Sequence, residues 1–381
     1  MAKTIYLDNA ASAPVKPCAI EAAMPFLTEC FGNPSSVHSQ GRRAALAIIA
    51  AREQCAAALG ADPSEIFFTS GGTESDNWAI FAAVNAFPEQ RHIVTTAIEH
   101  PAVLNVCGEL ERRGYSITRL EPNSEGLVSA EQVLSALRAD TALVSVMAAN
   151  NEIGTLQPIA EIGEICRKRG VLFHTDAVQA VGNIPLDVRE IKADMLSVSA
   201  HKLGGIKGSG LLFVRRGTPV SPLIFGGGQE RGMRSGTENA AGIAALGAAM
   251  ESACANIPEK QRKIAEMRDE LIARLSEIPD ARLNGSADKR LCGNVNFSFA
   301  DVEGESLVLN LDLAGVYASS ASACAGGTGK RSHVLKALGL SEKWLRGTLR
   351  LSLSEDNTME EIAAAAAAIR ESVERLRAAL N

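Results

Sequence analysis

The stretch TALVSVMAANNEIGTLQPIAEIGEICRKRGVLFHTDAVQ, residues 141–179, contains the pattern that decides the fold. It begins and ends with short apolar runs, TALVSVMAANN and GVLFHTDAVQ, which are typical of buried strands. Between them, PIAEIGEICRKRG has a helical pattern and ends at Gly170, a residue type that commonly stops helices. The stretch is therefore interpreted as a strand, a helix and a second strand.

The same alternation extends from about residue 60 to residue 215. Four more apolar runs are interpreted as strands: EIFFTS (65–70), HIVTTAIEH (92–100), DMLSVSAHK (194–202) and GLLFVRR (210–216). Strands that alternate with helices predict an α/β domain with a mainly parallel sheet, covered by helices on both faces.

Beyond the glycine-rich segment FGGGQERGMRSGTEN (225–239), the chain becomes helical and charged. We expect a long helix near residues 259–278, strands at NVNFSF (294–299) and TLRLSLS (348–354), and a closing helix over 359–380. These patterns predict a large domain, residues 15–255, and a smaller α+β domain, residues 256–381. Residues 1–14 are predicted to form an arm that packs with the smaller domain.

Composition excludes several functional classes. The 381 residues are 22% charged and 46% hydrophobic, which is ordinary for a globular protein, and the net charge of −6 argues against nucleic-acid or membrane-surface binding. No apolar run approaches the roughly 20 residues that span a bilayer. The segment MAKTIYLDNAASAPV lacks the apolar core of a secretory signal, so we expect a cytoplasmic protein. None of the eight cysteines forms a CxxC pair, so no metal site is expected.

Polar side chains follow five of the predicted strands. Each has an ordinary explanation alone, because a terminal Asp can cap a helix and a terminal Lys can be solvated. Their coincidence is less easily explained, since ligands of α/β sheets collect at the carboxyl ends of the strands. The groups are Gly71-Gly72-Thr73-Glu74, Glu99-His100, Asn150-Asn151, Asp176 with Gln179, and Ser199 with His201 and Lys202.

Together these groups are suited to pyridoxal 5′-phosphate. The Gly72-Thr73 turn would offer backbone N–H groups and a hydroxyl to the phosphate. Lys202 would form a Schiff base with the aldehyde, and Asp176 would pair with the protonated pyridine nitrogen. The imidazole of His100 would stack on the ring.

The segment SACAGGTGKRSH, residues 322–333, allows two interpretations. Its Gly-Lys pair resembles a P-loop, but the first glycine of that motif is replaced by Cys324 and its final hydroxyl residue by Arg331. The alternative is a flexible tether for a nucleophilic thiol at Cys324. We therefore expect the phosphate site elsewhere, at Gly72-Thr73 and around residues 199–202.

Ten motifs of this chain resemble those of the cysteine desulfurases of the NifS/IscS type. The resemblance runs from Tyr6 to about Ser354. The motifs are YLDNAASAPV, GNPSSVHSQGR, FTSGGTESDN, IEHPAV, NNEIGTLQPI, HTDAVQAVG, SVSAHKLGGIKGSG, GGGQERGMRSGTEN, SASAC and LRLSLS. The resemblance implies a fold-type I, class V aminotransferase-like enzyme with a seven-stranded type of sheet.

It also implies roles for individual residues. Lys202 would carry pyridoxal 5′-phosphate, and His100 would be an acid/base group as well as the stacking residue. Gln179 would contact the phenolic oxygen of the ring, and Asn151 and Arg350 would bind the substrate carboxylate. The residues expected to hold the phosphate are Gly72, Thr73, Ser199 and His201, with Thr237 reaching the phosphate of a neighbouring subunit.

The reaction implied is conversion of L-cysteine to L-alanine, with the sulfur transferred to Cys324 as a persulfide. The expected partners are a second copy of the chain, in a homodimer with shared sites, and a sulfur-acceptor or scaffold protein. Iron–sulfur cluster assembly is the expected destination, with tRNA thiolation or cofactor biosynthesis as alternatives. Selenocysteine lyase, or another class V aminotransferase-like enzyme, is the alternative activity.

The loop of about residues 318–333 resembles the longer catalytic loop of the first class of these enzymes. It departs from many relatives at Ala321, where they have Gly, and at Lys330-Arg331, where they have Glu-Pro. The basic pair either favours an acidic partner or is a solvated surface pair.

Overall fold

The computed structural model describes residues 4–320 and 331–379. The strands are β1 Ile5–Tyr6, β2 Ile66–Thr69, β3 His92–Thr96, β4 Ser116–Leu120, β5 Thr141–Ser145, β6 Leu172–Asp176, β7 Met195–Ser199, β8 Gly210–Val214, β9 Ala281–Leu283, β10 Asn294–Phe299, β11 Val316–Tyr317 and β12 Thr348–Ser352. The helices are α1 Pro17–Thr28, α2 Ser39–Leu59, α3 Gly72–Ala86, α4 Pro101–Arg112, α5 Ala130–Ala136, α6 Ile159–Arg169, α7 Ala240–Cys254, α8 Ile257–Ser276, α9 Gly304–Leu313, α10 His333–Ala337, α11 Glu342–Arg346 and α12 Met359–Ala378.

The main sheet has seven strands in the order β2-β8-β7-β6-β5-β3-β4. The strands from β4 to β7 pair in parallel, and β8 runs antiparallel to both of its neighbours. The prediction of a mainly parallel sheet is therefore confirmed. Strand β4 was not among the predicted strands, because it lies at the edge of the sheet and its partly exposed SITRL sequence lacks a buried apolar run.

Both faces of this sheet are covered, as predicted. In strand β5, Leu143 packs in the cluster that contains α3 and α4, whereas Val144 packs in the cluster that contains α1, α2, α6 and α7. The same alternation occurs at Met195 and Leu196 of β7. Since successive side chains of a strand point to opposite faces, a buried run of apolar residues supplies two cores at once.

A separate apolar core forms in the C-terminal part of the chain. It lies around the antiparallel sheet β12-β10-β9, with α8 and α12 packed against it. Ile5 and Leu7 belong to this core, and β1 pairs in parallel with β11. The N-terminal segment is thereby packed against the C-terminal part, while the domain boundaries given above stay a prediction.

The helix signals correspond to observed helix ends. Gly170 adopts a left-handed conformation, φ 68°, directly after α6, where its backbone N–H caps the carbonyls of the last turn. Thr358 and Glu361 form a capping box at the start of α12. Within the described residues no single helix has the length and apolar composition of a membrane span, although α7 and α8 together do and are bent by 74° at their junction.

Candidate active site

The predicted site residues gather at one edge of the main sheet. Strands β2, β3, β5, β6 and β7 run in the same direction, so their carboxyl ends meet there. The residues that follow these ends are Gly71 and Gly72 after β2, His100 after β3, Asn151 after β5, Asp176 at the end of β6, and Ser199 to Lys202 at the end of β7.

A cradle for a phosphate forms where β2 turns into α3. Gly71 has φ 151°, a conformation that only glycine adopts readily, and a Cβ atom added to it would lie 3.6 Å from Oγ of Ser199. A Cβ atom on Gly72 would lie 2.7 Å from a methyl group of Val178 and would clash with it, so the start of α3 packs on Val178 in a way that requires glycine. The first N–H groups of the 15-residue helix α3 open onto this cradle. Thr73, in the first turn, is exposed.

Lys202 lies in a short 3₁₀ turn, Ala200–Lys202, that directly follows β7. Its Nζ donates hydrogen bonds to the carbonyl oxygens of Ala10 (2.6 Å) and Ala11 (2.8 Å). Gln179 donates to the same Ala10 oxygen at 3.0 Å. The N-terminal segment thus supplies backbone acceptors to two of the predicted cofactor residues, a contribution that the sequence patterns did not indicate.

Asp176 and His100 each affect the pKa of the other. Burial raises the pKa of Asp176, and this shift is opposed by a hydrogen bond from the Val178 N–H and by the positive charges of His100 and Lys202. Burial lowers the pKa of His100, and the charge of Asp176 opposes that shift. His100 is also the N-cap of α4, since its Nδ1 accepts the N–H of Ala102 at 3.1 Å. The imidazole is therefore held with Nδ1 unprotonated and is mainly neutral at pH 7.

Arg350 and Asn151 lie side by side. Arg350 is only 2% exposed, which argues against a solvated surface charge. It donates to the carbonyl oxygen of Asn151 at 3.1 Å and to the Asp8 carboxylate at 2.9 Å. Asp8 was not predicted to belong to the site, because its partner is 342 residues away in the chain.

Two other predicted residues have different surroundings. Nδ1 of His201 lies 3.4 Å from the Ser12 hydroxyl, and burial lowers the pKa of His201 to about 4. Thr237 is exposed and follows the loop that contains the exposed Phe225.

Cys324 lies outside the described residues, as do Ala321 and Lys330. Of the described cysteines, five are buried and two, Cys18 and Cys254, are partly buried. Burial raises the pKa of Cys107 and Cys166 to about 12, and it also raises that of Cys292. Thiols in these surroundings are poor nucleophiles at neutral pH, since only the thiolate attacks.

Of the buried ionisable residues near the site, the sequence patterns indicated Glu99 but not Glu152, Asp76 or His174. Glu99 accepts hydrogen bonds from Thr96 and from the backbone of Met147, and burial raises its pKa to about 8. Glu152 accepts the Ser332 hydroxyl at 2.5 Å. Asp76 and His174, which are both buried, lie between α3 and the sheet. In a sequence, only the alternation of side chains along a strand indicates which face a buried carboxyl or imidazole group occupies.

His174 predicts a pH dependence of stability. Burial lowers its pKa to about 3, whereas an unfolded chain would have about 6.5. Between these values the unfolded state binds a proton that the folded state does not, so stability falls as the pH falls, by up to about 1.4 kcal/mol per pH unit. We expect His174→Gln to flatten this slope in urea unfolding at pH 6.5 and 4.5. The exposed His38→Gln variant is the control, and equal slopes for wild type and His174→Gln would contradict the assignment.

The residues present fit pyridoxal 5′-phosphate. The cradle at Gly71 and Gly72 has the N–H donors of a helix start, which a phosphate needs, and neither residue carries a side chain. A lysine amine and a buried carboxylate lie at the ends of adjacent strands, β7 and β6, as the aldehyde and the ring nitrogen would require. Gly72, Ser199 and His201 would hold the phosphate, Asp176 the nitrogen, and Lys202 the aldehyde carbon.

Comparison with known proteins gives consistent matches over nearly the whole chain. The profile of the family "Aminotransferase class-V" matches residues 5–364. A cysteine desulfurase IscS of Methanosarcina thermophila is 48% identical, covering 98% of this chain and 93% of its own length. A cysteine desulfurase of Nostoc sp. is 50% identical, with 98% and 94% covered.

Solved structures agree with these matches. A NifS-like protein superposes with a TM-score of 0.93 at 38% identity, covering 98% of this chain and 100% of that one. The protein SspA in complex with cysteine gives a TM-score of 0.82 at 39% identity, with 93% and 100% covered. The chain therefore belongs to the class-V aminotransferase family, with the fold-type I architecture and the pyridoxal 5′-phosphate dependence of that family.

Proposed function

We propose that this protein is a cysteine desulfurase, which converts L-cysteine to L-alanine and transfers the sulfur to Cys324 as a persulfide. The observation that carries the proposal is the convergence of Lys202, Asp176 and His100 at one sheet edge, with Arg350 and Asn151 alongside. The relatives that match nearly the whole chain are named cysteine desulfurases, and SspA was solved with cysteine.

Arg350 and Asn151 would hold the substrate by its carboxylate. A guanidinium can donate two parallel hydrogen bonds to a carboxylate, and its burial keeps the pair out of water. In the structure Arg350 binds the carboxylate of Asp8, so its geometry for an anionic partner is already set.

We expect Arg350→Lys to lower kcat/KM for L-cysteine by about 10- to 100-fold, mainly through KM, because an ammonium cannot reproduce the bidentate contact. Steady-state kinetics measure the effect, and the thermal unfolding midpoint checks folding. Arg346→Lys, an exposed arginine on α11, is the matched control. An unchanged KM would remove Arg350 from the substrate site.

The remaining steps move protons and sulfur. Bound pyridoxal 5′-phosphate supplies an electron sink for negative charge at the α-carbon of the amino acid. The amine of Lys202 takes the α-proton. A base is needed because only the thiolate attacks, and an ordinary cysteine, with a pKa of about 8.5, is mainly protonated at pH 7. His100, neutral at pH 7, would accept the proton at Nδ1, which must then leave the Ala102 N–H.

The sulfur transfer balances without an oxidant. The thiolate of Cys324 attacks the substrate sulfur, the bond between Cβ and sulfur breaks, and its electron pair stays with carbon, which is then protonated. The products are alanine and Cys324–S–SH. The high thiol pKa values of Cys107, Cys166 and Cys292 support the assignment of this role to Cys324.

The function is tested by incubating the cofactor-loaded protein with L-cysteine and dithiothreitol. Alanine and sulfide are expected in equal amounts. Persulfide on Cys324, located by alkylation and peptide mass spectrometry before the reductant is added, is expected at up to one per chain. Alanine without persulfide would indicate a lyase, and the absence of both alanine and persulfide would overturn the proposal.

The proposal includes a homodimer with shared sites. Ile20, Met24 and Leu27 are exposed along one face of α1, and Phe31 is 81% exposed. Contiguous exposed apolar side chains mark interaction surfaces. Thr237 is exposed as well, which supports the expectation that it reaches the phosphate of a neighbouring subunit.

We expect Phe31→Asp to shift the protein from dimer to monomer in sedimentation equilibrium, because it places a charge in a desolvated contact. Activity should fall with it, since Thr237 would no longer reach a second site. Leu313→Asp is the control, because Leu313 is 87% exposed but belongs to α9 of the C-terminal part. A Phe31→Asp variant that remains dimeric, or a wild-type protein that is monomeric, would contradict the proposed dimer.

A sulfur acceptor remains part of the proposal, with iron–sulfur cluster assembly as the destination and a cytoplasmic location. Arg331, half of the basic pair noted in the sequence, lies 3.3 Å from Glu303 and 3.7 Å from Glu342 of this chain. Its charge is thus partly matched within the molecule, which weakens the case for an acidic partner at that residue. Proteins that receive label from sulfur-35 cysteine would identify the acceptor.

A further inference from the structure

A buried polar cluster lies directly beneath the candidate site, between α3 and the sheet. It consists of Asp76, Ser145, His174 and Ser197, all at most 1% exposed. Ser145, His174 and Ser197 lie on the same face of the adjacent strands β5, β6 and β7. Each is two residues after an apolar residue that packs against α3, namely Leu143, Leu172 and Met195. Asp76 is on α3, one turn after Gly72 of the phosphate cradle. None of these four residues has a role in the reaction described above.

Within the described residues, the hydrogen bonds of the cluster give Asp76 no cationic partner. Nδ1 of His174 lies 2.9 Å from the Ser145 hydroxyl, and Nε2 lies 2.9 Å from the Ser197 hydroxyl. Both ring nitrogens are therefore engaged by neutral groups. Oδ1 of Asp76 is 3.6 Å from Nε2, and it has no hydrogen-bond partner among the described residues. Burial also keeps the imidazole of His174 uncharged, because its pKa is about 3.

The surrounding charges make an ionised Asp76 unfavourable. Burial contributes most to the raised pKa of Asp76, and the negative charge of the buried Asp176 adds to it, while the Ser197 hydroxyl opposes the shift. Glu99 adds less than any of these. Lys202 is the cation of this region that acts on Asp176, since His100 is mainly neutral at pH 7. A buried carboxylate without a cation is costly, so the carboxyl group takes up a proton instead.

We propose that Asp76 is a protonated carboxylic acid at neutral pH and serves as a positioning residue for Asp176. Because Asp76 holds a proton, Asp176 is the ionised member of the pair. Asp176 is the carboxylate that would face the pyridine nitrogen of the cofactor. The inference rests on the proposed cofactor site for its role, but the protonation of Asp76 is a property of the chain itself.

The protonation is tested on the protein without cofactor, so the result does not depend on desulfurase activity. Infrared difference spectra of wild type against Asp76→Asn at pH 7 are expected to show the C=O stretching band of a carboxylic acid, lost in the variant. Glu99→Gln removes a separate band and is the matched control. If Asp76→Asn does not fold, wild-type protein with ¹³C-labelled aspartate gives the same information from the Asp76 Cγ resonance. A carboxylate signal at pH 7 in either experiment would overturn the proposal.

The coupling to Asp176 has its own test. In Asp176→Asn the repelling charge is gone, so the Asp76 signal is expected to titrate at lower pH than in wild type. Because Asn keeps the neutral shape of the protonated acid, Asp76→Asn is expected to bind pyridoxal 5′-phosphate within about twofold of wild type, whereas Asp176→Asn should bind it at least tenfold more weakly. An unshifted titration, or a tenfold loss of cofactor affinity in Asp76→Asn, would overturn the positioning role.

Failure of the two proposals is distinguishable. Loss of alanine production with an intact Asp76 acid band would contradict the desulfurase activity alone. Normal alanine production with an ionised Asp76 would contradict this inference alone.

Discussion

Lys202→Ala is expected to lose the visible absorbance of the lysine-bound cofactor and to lower kcat for L-cysteine by about 1,000-fold or more. The variant removes both the amine that holds the cofactor covalently and the base that takes the α-proton. The absorbance spectrum and alanine formation measure the two losses separately. Folding should persist, since Lys202 is only partly buried.

Lys207→Ala is the matched control for this variant. Lys207 lies five residues further along the chain and is exposed, so its removal should change neither the absorbance nor the rate. If Lys202→Ala retained the absorbance of the lysine-bound cofactor, another amine would have to be the attachment point, and the proposed site would be wrong.

Cys324→Ala is expected to abolish the persulfide and to reduce sulfide release from L-cysteine by about 1,000-fold or more, because loss of a nucleophile removes the step that it starts. Cofactor binding should be unchanged, since no predicted cofactor contact is lost. The measurements are persulfide by alkylation, sulfide by colorimetry and the absorbance of the loaded enzyme.

The control is Cys18→Ala, which removes a partly buried thiol of the described part of the chain. Sulfide release by Cys324→Ala at the wild-type rate would show that no protein thiol attacks the substrate at this position. In that case the simple lyase mechanism, which includes the selenocysteine lyase alternative, would replace the one proposed.

The sheet was largely predictable because its inner strands are buried on both faces. Such strands appear as continuous apolar runs, and residues 141–145 and 195–199 are fully buried in the structure. Strand β4 has one edge without a neighbouring strand and mixes Ser, Thr and Arg with its apolar residues, so that signal is missing. Its existence follows from pairing with β3, which is a tertiary interaction.

The site residues that lie at the ends of strands were predictable from the sequence. His100, Asp176 and Lys202 each lie at or just after the end of a parallel strand, where sheet geometry brings them together. Asp8 and the carbonyl groups of Ala10 and Ala11 could not be found in this way, because their partners lie between 191 and 342 residues away in the chain.

The positions of Asp76 and His174 were predictable only in part. His174 is two residues before Asp176 on β6, so the period of a strand places both on one face. That Asp76 of α3 meets this face depends on helix packing, for which the sequence pattern carries no direct indication.

The contacts of the N-terminal segment also have a consequence for biosynthesis. Asp8, Asn9 and Ala10 bind Arg350 and Ser352, which the ribosome makes more than 340 residues later. The main sheet can form earlier, since domains generally fold as units during synthesis. The contacts between Asp8 and Arg350 therefore form only after the residues between them have been made, and a nascent chain that already has Lys202 still lacks the arginine that would hold a substrate.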